Sequence, residues 1–173
     1  MSLKVFEETG KLAQAPGGMT RLEVVSVGSF EASYVPTVGD FARLDARFRL
    51  PEGTWEQLPQ YKDYGFAVFK LKPGERRIHP MAFSFPRADV RRLFFPTVHI
   101  HDGKVHATAT FDHTLYYQKA PGETFSLRFW NESFPLAKQF LDIPKSKGIV
   151  LPDTHCYKME MRGRRANADT WAG

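Results

Sequence analysis

The sequence predicts a mainly β protein: an antiparallel β-meander that closes into a barrel or sandwich and carries two or three short helices. Three observations predict it. Short alternating or wholly apolar segments recur, Pro-Gly and Asp-Gly pairs separate them, and helical apolar spacing is confined to short stretches. With 173 residues, 42% of them hydrophobic, the chain can fill the core of a single domain over 1–173. Residues 1–18 are expected to form an irregular arm and 163–173 a polar tail.

The first part of the chain contains one predicted strand and two predicted helical segments. Residues 20–35 are rich in Val, Ser, Phe and Tyr and predict a strand that bends at Gly28. Residues 38–48 place an apolar side chain at every third or fourth position, which predicts a short amphipathic helix. Thr54 is a candidate cap for a further helical turn.

The centre of the chain predicts five consecutive antiparallel strands. They span 65–71, 77–85, 93–101, 104–118 and 124–130. A short helix is predicted between Ser133 and Pro144, and a last strand over 149–162. The side chains that this arrangement predicts to be largely buried are Phe69, Phe83, Val98, Ile100, Ala109, Phe111 and Phe125.

The most informative local feature is the pair Asp102 and Gly103 between two alternating segments, which predicts a two-residue β-hairpin with both residues at positive φ. In that hairpin His99 would lie opposite His106, and both would share a face with His101. The other face would carry apolar side chains such as Val98 and Ile100.

Three imidazoles on one rigid patch predict a site for a divalent transition metal at His99, His101 and His106. Such an ion could hold a small ligand, or activate water or dioxygen in an enzyme. A second interpretation is that the histidine face is solvated, because Val98 and Ile100 on the opposite face belong in a core. The sequence leaves open whether the protein is an enzyme.

The spacing of these histidines also resembles the first metal motif of the cupins. His99 and His101 match its two histidines, and His106 stands where that motif has Glu. The resemblance covers about ten residues and implies a metal held inside a β-barrel. The chain departs from the pattern at Leu93, where the cupins have Gly, and near His155, which lacks the glycine of the second motif.

The remaining candidates are single residues with simpler explanations. His113 falls on the apolar face beyond Phe111, which is typical of a hydrogen-bonded core histidine. His155 and Cys156 are neighbours on a predicted strand and therefore point to opposite faces, so they do not form a catalytic pair. Cys156 is the one cysteine of the chain, which excludes an intramolecular disulfide and a zinc site made of several thiolates.

Charge and composition limit the partners. The formal charge of +5 and the basic pairs Arg76–Arg77, Arg91–Arg92 and Arg164–Arg165 permit single-stranded nucleic-acid binding, but no recognised binding motif accompanies them. A small-molecule ligand is therefore the leading expectation, and a non-catalytic binding or oligomerisation module, including a homo-oligomer, is the alternative. No stretch approaches the roughly 20 apolar residues of a membrane span. We expect no membrane partner and a cytoplasmic location.

Overall fold

In the computed structural model, the described residues are 20–74, 76, 78–83, 85–87, 89–124 and 126–173. The described chain is mainly β, with three antiparallel sheets and short 3₁₀ helices, and this confirms the predicted class. The described strands do not join into one closed barrel, so the barrel or sandwich stays a prediction. No helix in this part of the chain has the length and apolar character needed to cross a bilayer. The arm predicted at 1–18 lies outside the described residues.

The described residues group into two compact units. The N-terminal unit contains residues 20–82 together with 101–105. The C-terminal unit contains residues 83–100 and 106–173. The segment 101–105 is therefore separated in sequence from the rest of its unit. The single domain over 1–173 stays a prediction.

The N-terminal unit contains a three-stranded antiparallel sheet in the order β1-β2-β3. Its strands are β1 (Val25–Val27), β2 (Phe30–Val35) and β3 (Phe66–Leu71). The strand predicted over 20–35 is a hairpin, because the chain reverses at Gly28, whose φ is +55°, and Val27 pairs with Phe30. The strand predicted over 65–71 is confirmed as β3.

The helix predicted over 38–48 is two 3₁₀ helices, Val38–Arg43 and Ala46–Phe48. Leu44 interrupts them with an extended backbone, and the Asp45 side chain accepts a hydrogen bond from the backbone of Arg47 and caps the second helix. Two more 3₁₀ helices follow at Trp55–Gln57 and Pro59–Tyr61. The predicted apolar stripe is nevertheless correct: the buried cluster of this unit consists of Val35, Phe41, Leu44 and Phe48.

The C-terminal unit contains two antiparallel sheets. Its strands are β4 (Leu93–Phe95), β5 (Thr108–Tyr117), β6 (Asn131–Glu132), β7 (Tyr157–Ala166) and β8 (Thr170–Ala172). β4 pairs with β8, and the other sheet has the order β5-β7-β6. β5 and β7 pair along ten residues, with Phe111 opposite Gly163 and His113 opposite Met161.

The predicted meander is wrong, because its strands pair with partners far away in sequence. The described residues of 77–85 form no strand; Pro80 within the segment has no N–H for a sheet ladder. The described residues of 124–130 form no strand either, and a turn there is closed by a 2.9 Å bond from the N–H of Trp130 to the carbonyl of Leu127. The strand predicted over 149–162 is β7, which begins at Tyr157 rather than at 149. The residues predicted as a polar tail continue β7 and form β8.

The predicted hairpin at Asp102 and Gly103 is also wrong. Residues 96–107 form no strand, so 93–101 and 104–111 are not paired. The Asp102 carboxylate accepts a 3.0 Å hydrogen bond from the backbone of Lys104, which bends the chain locally. Gly103 has the expected positive φ of +76°, but Lys147 is the one described non-glycine residue with positive φ, so Asp102 lacks it.

The helix predicted after Ser133 is reduced to one 3₁₀ turn, Ala137–Gln139, followed by a second at Pro144–Ser146. The Ser133 hydroxyl donates to the carbonyl of Pro135 instead of capping a helix. Thr54, the other predicted cap, precedes a 3₁₀ helix, but its hydroxyl donates to the carbonyl of Pro51.

The predicted core is confirmed most clearly at Phe111, which is 1% exposed. Four more of the predicted side chains are half-buried: Phe69, Val98, Ile100 and Ala109. The prediction for Phe83 is wrong, because this residue is 37% exposed and lies outside any strand. Phe125 lies outside the described residues.

Candidate functional site

The candidate site is a pair of histidines in the C-terminal unit. Nε2 of His99 lies 2.6 Å from Nε2 of His113. At this distance the two rings share a hydrogen bond, so one Nε2 carries the proton and the other accepts it. Both residues are half-buried.

The ring of Phe111 packs against both histidines of the pair. His99 stacks on it with ring centroids 4.5 Å apart and an interplanar angle of 29°. His113 meets it edge-on, with centroids 5.7 Å apart. Phe111 and His113 are alternate residues of β5 and therefore share a face of the sheet. The long β5–β7 ladder fixes one half of the site.

The other half of the site is fixed by a side-chain amide, because His99 lies outside any strand. The Asn167 Oδ1 accepts from the backbone N–H of His99 at 2.8 Å. The Asn167 Nδ2 donates to the carbonyl of His99 at 2.9 Å and to the carbonyl of His106 at 3.0 Å. We call these three hydrogen bonds the Asn167 clamp, because they hold the backbone of His99 and of His106. Nearby, the backbone N–H of Thr97 donates to the Asp169 carboxylate.

The three histidines that the sequence analysis assigned to a metal belong to two different units. His99 lies in the pair, and His106 has an exposed side chain in the same unit. His101 belongs to the N-terminal unit and is exposed. Within the described residues, no group of three or more His, Cys, Asp or Glu side chains is arranged to hold a metal ion. The metal site at His99, His101 and His106 stays a prediction.

His113 is the member of the pair that the sequence analysis did not connect with His99. Its alternation with Phe111 correctly predicts a position on the apolar face and a hydrogen bond. Its partner, His99, could not be found from local pattern, because the contact needs the irregular backbone of 96–107 and the Asn167 clamp.

The chemistry of the pair follows from its two nitrogens. Two protonated imidazoles at 2.6 Å would repel each other, so the observed contact requires at least one neutral ring. Neutral Nε2 atoms are ligands for zinc, nickel and copper. Two nitrogens bound at 2.0–2.1 Å to a tetrahedral ion stand about 3.3 Å apart, so the rings need to separate by roughly 0.7 Å to hold one.

The cysteine of this unit is not a candidate nucleophile. Burial raises the pKa of the Cys156 thiol above its ordinary value of 9.0. A thiol with a raised pKa carries little of the reactive thiolate at neutral pH. The neighbouring His155 contacts the carbonyl of Ser133 through Nδ1 at 2.8 Å.

A second polar cluster in this unit involves Tyr117 and Glu123. The Tyr117 hydroxyl and the backbone N–H of Ala120 both donate to Oε2 of Glu123, and Arg87 lies 3.8 Å from Oε1. Burial, and then the hydrogen bond to Glu123, raise the pKa of Tyr117 above its ordinary 10.0. Tyr117 therefore stays protonated near neutral pH and fastens the turn at 118–123 to the end of β5.

A comparison of the chain with protein-family models, with curated proteins and with solved structures finds no match. The geometry of the described residues is therefore the basis for assigning a function.

Proposed function

We propose that the C-terminal unit binds a divalent transition-metal ion through Nε2 of His99 and Nε2 of His113, and that the open coordination positions take a small ligand. The observation that carries the proposal is the 2.6 Å approach of these two ring nitrogens. The proposed site keeps His99 from the set that the sequence predicts, and His113 takes the place of His101 and His106.

The surroundings of the pair support binding rather than chance proximity. Phe111 limits the tilt of both rings, β5 holds His113 and the Asn167 clamp holds His99. Side chains held in this way lose little further freedom when a ligand arrives, which favours affinity. The adjustment of roughly 0.7 Å that an ion requires is a small rotation of two rings.

The test is calorimetric titration of the purified chain with Zn²⁺ or Ni²⁺ after treatment with a chelator. We expect one ion per chain, and we expect His99→Gln and His113→Gln each to weaken binding at least tenfold. Glutamine can keep a polar contact but supplies no imidazole nitrogen. The control His155→Gln removes an imidazole from the same unit and is expected to leave the affinity within twofold.

The same titration separates the alternatives. If His101→Gln and His106→Gln reduce the affinity while His113→Gln does not, the originally predicted set binds the ion and our proposal is wrong. If the folded His99→Gln, His113→Gln double variant binds as tightly as the unaltered chain, the pair is a structural hydrogen bond. Circular dichroism of each variant establishes that the fold is retained.

A further inference from the structure

The N-terminal unit contains a cavity of about 250 Å³ beside the junction of its first two 3₁₀ helices. We call it the arginine pocket, because Arg21, Arg43 and Arg49 are among the residues that line it, together with Asp45, Leu44 and flanking alanines. The cavity shares no residue with the histidine pair, so nothing in the proposed metal site accounts for it.

Two backbone carbonyls hold the guanidinium group of Arg49 in place. Its Nε donates to the carbonyl of Leu44 and its Nη2 to the carbonyl of Ala42, both at 2.8 Å. Among the described residues it makes no ion pair with a carboxylate. The full positive charge of a fixed guanidinium is therefore presented beside the pocket.

Arg43 is also fixed, by the carbonyl of Thr20 at 2.8 Å from Nε and by Asp40 at 2.7 Å from Nη1. Within the described residues its Nη2 makes no hydrogen bond, and the same holds for Nη1 of Arg49. Each of these two arginines thus keeps donors for a ligand after fulfilling its structural role.

The one carboxylate in the lining is already engaged. Asp45 accepts from the backbone of Arg47 at 3.0 Å and lies 3.3 Å from its Nε. The backbone hydrogen bond, and then the charges of Arg47 and Arg21, hold the pKa of Asp45 below its ordinary 3.8. Asp40 neutralises Arg43 and Arg47 neutralises Asp45, so within the described residues Arg21 and Arg49 are the two lining guanidinium groups that form no ion pair with a carboxylate.

We infer that the arginine pocket binds a small molecule through a dianionic phosphate group. Guanidinium donors match the geometry of phosphate oxygens, and the charges of Arg21 and Arg49 together balance a dianion. The volume corresponds to about eight waters, which is more than a phosphate group fills and less than a drug-sized ligand needs. Ala42 and Ala46, which are exposed, offer apolar surface to the carbon part of such a ligand.

The test is titration of the ¹⁵N-labelled full chain with glycerol phosphate, followed by its amide spectrum. Inorganic phosphate, succinate and sodium chloride at matched ionic strength are titrated in parallel. We expect saturable shifts at residues 42–49 with glycerol phosphate and inorganic phosphate, tighter binding of the ester, and weaker shifts with succinate. Sodium chloride is expected to produce no saturable shift.

Arg21→Gln is the informative variant, because Arg21 makes no hydrogen bond within the described residues and its loss spares the fold. We expect it to weaken glycerol phosphate binding at least fivefold. The control Arg91→Gln removes an equal charge from a side chain that is 86% exposed in the other unit, and is expected to leave binding within twofold.

Two results would overturn the inference. Equal losses in Arg21→Gln and Arg91→Gln would mean that the anion responds to overall charge rather than to the pocket. Succinate binding at residues 42–49 as tight as glycerol phosphate would mean that the site takes any dianion and does not select phosphate.

Discussion

Gly103 occupies a position that strains any other residue, for two separate reasons. Its φ of +76° lies in the left-handed region that side chains disfavour. A Cβ atom added there would also lie 2.8 Å from Cγ of Pro51, within the same unit. Because a proline ring cannot rotate away, the backbone itself has to shift.

Gly53 provides a matched comparison, since its φ is +77° but its Cβ would meet no atom within 4 Å. We expect Gly103→Ala to destabilise the protein by about 1 kcal/mol more than Gly53→Ala, because the first adds overpacking to the shared backbone strain. Urea denaturation of the two variants measures the difference. Equal free energies of unfolding for the two variants would show that Pro51 shifts to make room for the Cβ atom with no loss of stability.

Single residues were predicted well where alternation alone decides their environment. Phe111 and His113 share the inner face of β5 as their spacing indicates. Phe83 also lies in an alternating segment, yet it is exposed because the described residues of 77–85 form no strand. Alternation therefore predicts which side chains share a face, but it cannot predict whether that face is covered.

The elements of the fold were predicted where their signals are local. β3 and much of β5 match the predicted strands, and the turn at Gly28 lies at the predicted bend. Pairing was predicted poorly, because β5 pairs with β7 across a long stretch of intervening chain. The Asp102–Gly103 signal failed for a similar reason: the backbone around it is bonded to Asn167, more than 60 residues away.

The Asn167 clamp gives a prediction for this element of the structure. Asn167→Asp keeps an acceptor for the His99 N–H but replaces the Nδ2 donor by an oxygen that faces two carbonyls. We expect a loss of about 1–3 kcal/mol in the free energy of unfolding, because the new carboxylate oxygen would face two carbonyl oxygens to which it cannot donate a hydrogen bond. Asn131→Asp, at an exposed position of β6, is the control and is expected to change stability little.

Weaker metal binding in Asn167→Asp would agree with the proposed role of the clamp in placing His99. Retention of full stability in urea would contradict the three hydrogen bonds assigned to the Asn167 side chain.

For the molecule as a whole, the raised pKa of Tyr117 sets an alkaline limit to stability. Because its pKa in the folded state lies above the ordinary 10.0, its contribution is complete below pH 10 and is lost as the pH rises through the folded-state pKa. We expect the thermal midpoint to fall above pH 10, and the fall to be shallower in Tyr117→Phe. Tyr116→Phe, at a 67% exposed neighbour, is the control and should keep the steep decline.

Apolar exposure at the scale of the whole chain is uneven. In the C-terminal unit Phe134 is 99% exposed and Phe129 78% exposed, whereas the N-terminal unit buries a cluster around Phe41 and Leu44. The homo-oligomer or binding module expected from the sequence stays a prediction. Composition indicated an ample core but could not show how it is divided between two units.

The placement of 101–105 in the N-terminal unit has a consequence for biosynthesis. The ribosome must add residues 83–105 after the rest of that unit has been made, and at 5–20 residues per second this takes about 1–5 s. During this interval Pro51 lacks its neighbour Gly103. The first unit to emerge therefore completes its packing only after the chain has begun the second, so a nascent chain that stalls before Val105 leaves the N-terminal unit unfinished.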